Sequence, residues 1–126
     1  MEINSYETLF EKFPNLYNKN PKKGLWGFEC NLGWFELIEE LSKELDEYCK
    51  KEKIKINPRQ VKTKFAGLRF YYDLENNTPE EKRKGIEEII KKYEQQSEQT
   101  CETCGKHGKK ISKNNWLIVA CEEHSK

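Results

Sequence analysis

The sequence predicts an α+β fold: a small helical and β domain with a short antiparallel sheet, closed at its C-terminal end by a cysteine-rich knuckle. Three observations carry this expectation. They are two amphipathic helical stretches, a pair of alternating apolar and polar runs between them, and a terminal Cys-x-x-Cys and Cys-x-x-His pattern. The 126 residues suit one domain. With only 35% of them apolar and 36% charged, the core must be modest, and a cross-linking group would offset the limited burial.

A short first helix is expected after Asn4 or Ser5, with Glu7 completing a capping box and Tyr6, Leu9, Phe10 and Phe13 forming one apolar stripe. Pro14 ends it. Residues 15–33, rich in Asn, Pro, Lys and Gly, read as a loop punctuated by Trp26 and Phe28. The next helix is the clearest element. Trp34, Leu37, Ile38, Leu41, Leu45 and Tyr48 line one face, and Glu36, Glu39, Glu40, Lys43, Glu44 and Glu47 the solvated other. Cys49, on the same helix, reads as a small buried hydrophobe.

Strand periodicity follows. Val61, Thr63 and Phe65 alternate with Lys62 and Lys64, and Leu68, Phe70 and Tyr72 alternate with Arg69 and Tyr71. Ala66-Gly67 breaks the two runs as a bulge, bend or tight turn would. On this alternation Val61 and Phe65 share the inner face. A third helix opens at Thr78-Pro79-Glu80-Glu81, with Thr78 as cap and Pro79 in the first turn, and runs close to Gln99. Ile86, Ile89, Ile90 and Tyr93 form its apolar stripe, and Glu87 with Lys91 and Glu88 with Lys92 its surface pairs.

Cys101, Cys104, Cys121 and His124 carry the chemistry. Two ligands separated by two residues can grip one ion from a tight knuckle, and Gly105 tolerates the positive φ such a knuckle needs. The second pair fits one helical turn, and the apolar run Trp116 to Ala120 would return the chain to it as a hairpin strand. The pattern predicts a zinc-ribbon or treble-clef-like lobe over residues 101–126, packed as one unit with a domain over residues 1–100. Four protein ligands leave no vacancy for water, so the expected Zn2+ is structural. His107 is an alternative fourth ligand. A redox Cys-x-x-Cys would open a helix after a strand, whereas this one follows a helix and has a matching second pair.

No stretch reaches the length of an apolar membrane span, and Met1-Glu2-Ile3-Asn4 lacks the basic start of a secretory signal. A cytoplasmic chain is expected, its remaining cysteines, Cys30 and Cys49, being thiols. The net charge of +1 argues against a dedicated binder of long duplexes, so any nucleic-acid role must rest on a local patch. Lys62, Lys64 and Arg69, interleaved with Phe65, Phe70, Tyr71 and Tyr72, supply the residue types that neutralise phosphates and stack bases. Trp26 and Trp34 would wall a pocket beside them. The plainer alternative is a strand with a polar outer face and an aromatic inner one. Both histidines lie at or beside the metal pattern, leaving no base for a nucleophile, and no phosphate-binding glycine loop is present. An enzyme is not expected.

Gly27-Phe28-Glu29-Cys30 with Gly33-Trp34-Phe35, then Gln60-Val61-Lys62-x-Lys64-Phe65-Ala66-Gly67-Leu68-Arg69-Phe70-Tyr71, and the terminal Cys-x-x-Cys and Cys-x-x-His resemble a family of small uncharacterised phage and prophage proteins. The resemblance runs from Gly27 onward and departs from the family's Phe-Gly-Gly-Leu-Arg-Phe at Ala66. It implies a phage accessory protein that works in the host cytoplasm by binding. The leading expectation is a non-enzymatic binder of a nucleotide or nucleic-acid ligand, sequestering a host defence signal. The alternatives are a protein-binding inhibitor of a host defence factor and a metal-assisted nuclease. Homo-oligomerisation is left open.

Overall fold

A computed structural model describes Tyr6 and residues 8–17 and 28–125. The order is α1 (Thr8–Lys12), β1 (Phe28–Glu29), a 3-10 turn (Leu32–Trp34), α2 (Phe35–Glu52), β2 (Ile56–Lys64), β3 (Gly67–Leu74), α3 (Glu80–Ser97), β4 (Lys109–Lys113), β5 (Trp116–Ala120) and a last 3-10 turn (Glu123–Ser125). The fold is α+β, with one sheet ordered β1-β2-β3 and a second made of β4 and β5. The proposed capping box at Asn4, Ser5 and Glu7 lies outside the described residues. No helix among the described residues is long and apolar enough to cross a membrane.

The expected stripe is buried from Trp34 to Leu45, joined by Phe35 and Cys49, whereas Tyr48 is only half-buried. Burial raises the Cys49 thiol to about 11, which keeps it protonated and inert. Ser42 sits on the same buried face and is satisfied there. Its Oγ donates to Ile38 O at 2.7 Å, leaving it to accept from the Tyr17 hydroxyl at 2.5 Å. Lys53, at φ 56°, ends the helix in the left-handed region.

β1 is a correction to the expected loop: it pairs parallel with β2, Phe28 beside Val61 and Glu29 beside Lys62. Two residues are too few to show a period. The β2–β3 hairpin is antiparallel, with a bulge between Pro58 and Gln60 where proline cannot donate. Its register places Lys64 opposite Gly67, so the two-residue turn is Phe65-Ala66 rather than Ala66-Gly67. Both turn residues have positive φ, 53° and 59°. That is the pattern of a type I′ turn, normally built from Asn, Asp or Gly. Holding other residues there costs about 1 kcal/mol or more each. Phe65 is therefore not on the inner face with Val61 but on the hairpin tip, 68% exposed.

α3 buries Ile86, Ile89, Ile90 and Tyr93 as expected, but its start is shifted. Thr78 belongs to the preceding turn, its N–H donating to Glu75 O, and Pro79 takes the capping position with its carbonyl accepting from Lys82 and Arg83. Lys92 reaches across to Glu44 of α2 at 2.8 Å, and Tyr93 donates to the same carboxylate at 2.8 Å. α3 also covers the open edge of β3. Ser97 Oγ accepts from Leu68 N–H at 2.9 Å and Glu94 from Phe70 N–H at 3.0 Å, which satisfies amides that would otherwise invite another strand.

Candidate functional site

The C-terminal knuckle is built by the backbone. Cys101 N–H donates to Lys106 O at 2.7 Å and Gly105 N–H to Cys101 O at 2.9 Å, with Gly105 at φ 84°. β4 and β5, joined through Asn114-Asn115, then return the chain to Cys121. Ser125 N–H donates to Cys121 O at 3.0 Å, winding the turn that brings His124 over the cysteines. The ligand atoms of Cys101, Cys104, Cys121 and His124 all lie within 4.8 Å of one another. Cys104 Sγ is 3.7 Å from Cys121 Sγ, and His124 Nδ1 is 3.2 Å from Cys121 Sγ and 3.6 Å from Cys101 Sγ. These four side chains could hold a metal ion. His107 is not in the group; it bridges to Thr100 and is exposed.

The knuckle favours thiolate at Cys101 and Cys121 but not at Cys104, where the Lys106 backbone N–H is outweighed by burial and by the neighbouring Cys101 and Cys121, which raise the thiol. Burial opposes ionisation of Cys101, but the backbone N–H groups of Cys104, Cys121 and Thr103 outweigh it and bring the thiol down to about 6. The backbone N–H of His124 likewise lowers Cys121.

Trp34 is placed differently from the expectation. It is fully buried, and its indole Nε1 donates to Thr100 O at 2.8 Å, immediately before the first ligand. It walls no pocket on the strands, because its ring is consumed by the core. Gly33 beside it donates its N–H to Glu102 O at 2.9 Å, and a Cβ there would stand 2.5 Å from Cys101 O. Glu102 N–H donates to Val119 O at 3.0 Å, and Val119 lies in the main core. The lobe is thus tied to the start of α2 and to the core. Trp26 lies outside the described residues.

The other predicted residues meet on one face of the β2–β3 hairpin. Opposed residues share a face, and Val61 with Phe70 and Thr63 with Leu68 take the inner one. Lys62 opposite Arg69, Lys64 opposite Gly67 and Tyr71 opposite Gln60 therefore take the outer. Lys64 and Tyr71 are exposed, and Lys62 and Arg69 half-buried. The nearby Glu98 carboxylate lies 3.4 Å from Lys110.

No protein-family model, curated protein or solved structure matches the chain.

Sequence reasoning missed the roles of Phe65, Thr100, Glu94 and Ser97. The last three act through contacts distant in sequence, which no local pattern announces. Phe65 had a local signal, Gly67 at the start of the second run, but a turn of Phe-Ala lacks the residues that normally mark one.

Proposed function

We propose that the chain is a non-enzymatic, zinc-stapled binding protein that holds a nucleotide or nucleic-acid ligand on the outer face of β2–β3. The observation that carries this reading is the register pairing Lys62 directly with Arg69, with Lys64 and Tyr71 on the same face. A phosphate over this face would meet the cations of Lys64 and Arg69, while Lys62 also has Glu29 beside it in the β1 register. Tyr71, 40% exposed, offers a ring on which a base can stack.

The donor geometry supports zinc as the stapling ion. Bonds of about 2.3 Å to sulfur and about 2.0 Å to nitrogen give tetrahedral edges of about 3.8 Å between sulfurs and about 3.5 Å from sulfur to nitrogen. The separations of 3.7, 3.6 and 3.2 Å are close to those edges. Three thiolates and one imidazole fill all four positions, which favours a structural ion. The resemblance to phage accessory proteins supports sequestration of a host defence signal as the setting.

The test is fluorescence anisotropy with a labelled oligothymidylate strand and a labelled mononucleotide. The pair Lys62→Ala with Arg69→Ala should weaken binding by about tenfold or more and reduce its salt dependence, with an unchanged circular dichroism spectrum. Wild-type affinity in the double variant would overturn the reading.

A further inference from the structure

Phe65 combines two features that stability alone does not favour. Its backbone is at φ 53°, where an L side chain is strained, and its ring is 68% exposed. The β4–β5 hairpin makes the corresponding turn with Asn114 and Asn115, at φ 55° and 64°. Asparagine tolerates that conformation. The neighbouring exception, Ala66, has a packing explanation: it is 1% exposed and belongs to the core. Phe65 has none. Lys64 Nζ stands 5.7 Å from its ring centroid.

The position of the ring suggests its use. Phe65 stands at the tip of the hairpin whose outer face carries Lys64, Lys62 and Arg69, with Tyr71 at the far end. Tyr71 and Gly67 are separated along β3 by about 14 Å at the rise of an extended strand. One base cannot touch both aromatic ends of that strip, whereas successive bases of one strand can, with their phosphates over the lysines and arginine between. An aromatic platform at each end of a basic track is a sequence-tolerant way to hold unpaired bases.

We infer that Phe65 is a base-stacking residue, and that the ligand of this face is a single-stranded nucleic acid spanning from Phe65 to Tyr71. The inference rests on the binding reading proposed above and narrows its ligand from nucleotides in general to strands. The left-handed backbone lifts the ring clear of the sheet, where a base can reach it.

The experiment compares Phe65→Asn, Phe65→Trp and the Lys62→Ala, Arg69→Ala pair, using labelled oligothymidylate, a duplex and a mononucleotide. Phe65→Asn should raise Tm, because asparagine relieves the turn, yet weaken oligothymidylate binding by about tenfold, the loss of one stacked base. Phe65→Trp should retain affinity, and the duplex, whose bases are already stacked, should bind more weakly than the single strand. If Phe65→Asn binds the strand as wild type does while the lysine–arginine pair loses it, this inference fails and the face reading stands. If the lysine–arginine pair also binds normally, both fail. A fall in Tm together with affinity would assign Phe65 to the fold and overturn the inference. So would equal affinity for strand and duplex.

Discussion

Gly33 lies directly against the peptide of Glu102, donating its N–H to that carbonyl at 2.9 Å and leaving no room for a Cβ. The contact joins the entrance of α2 to the middle of the Cys-x-x-Cys knuckle. Gly33→Ala should therefore force the two apart. A loss of about 1–3 kcal/mol is expected, as for other overpacked sites, measured by urea unfolding with metal present. A change within a few tenths would show that the lobe does not depend on this docking.

Metal content gives a second prediction. Purified protein should carry close to one zinc per chain, and Cys101→Ser or Cys121→Ser should lose it. Because Val119 is part of the main core and Trp34 donates to Thr100, chelation should lower the melting of the whole domain, not only of the terminal hairpin. Near-ultraviolet circular dichroism of the buried Trp34 would report the difference. An unchanged Trp34 signal after complete metal removal would contradict it.

The covered edge of β3 provides a third. Ser97 is fully buried, with its Oγ accepting from Leu68 N–H. Ser97→Ala strands that amide and should cost about 1–3 kcal/mol, with faster hydrogen exchange at Leu68. Glu94→Gln keeps an oxygen for Phe70 N–H and should be much milder. Equal effects from the two variants would count against the edge-capping role.

Glu44 supplies a pH dependence. Its hydrogen bond to Lys92 lowers its pKa from the ordinary carboxylate value, opposed by partial burial and reinforced by the Tyr93 hydroxyl. A depressed folded-state value means that this contribution is fully present above the unfolded pKa and is lost as pH falls through the folded one. Glu44→Gln should flatten the acid limb of the stability curve. The pair is well exposed, with 38% of the Glu44 side chain accessible, so the effect should shrink in high salt. An acid limb unchanged in Glu44→Gln would remove this pair from the account.

Where one short-range rule acts alone, the sequence read well. The α2 stripe from Trp34 to Leu45 needs only helical periodicity, and Gly105 needs only its positive φ. The metal ligands announce themselves by spacing, because a tetrahedral ion constrains close neighbours. Reading failed where distant packing decided the outcome. Trp34 reads both as the first residue of the stripe and as a pocket wall until Thr100 offers its indole an acceptor, which leaves only the first. Phe65 continues the strand alternation until the Lys64–Gly67 pairing turns it outward. The start of α3 moved by one residue because Thr78 was already engaged in a turn to Glu75.

The indole bond from Trp34 to Thr100 spans 66 residues of chain, whereas the metal ligands all lie within the terminal segment. Closing the longer loop adds little entropy, since that penalty grows only with the logarithm of length. It does, however, require α2 and the knuckle to exist first. The contact is therefore expected to form after the folding barrier. In a chevron plot, weakening it through Trp34 or the ligands should displace the unfolding limb to higher rates and leave the refolding limb nearly in place. The terminal lobe then acts on the lifetime of the native state, as a latch that sets how long the fold stays shut.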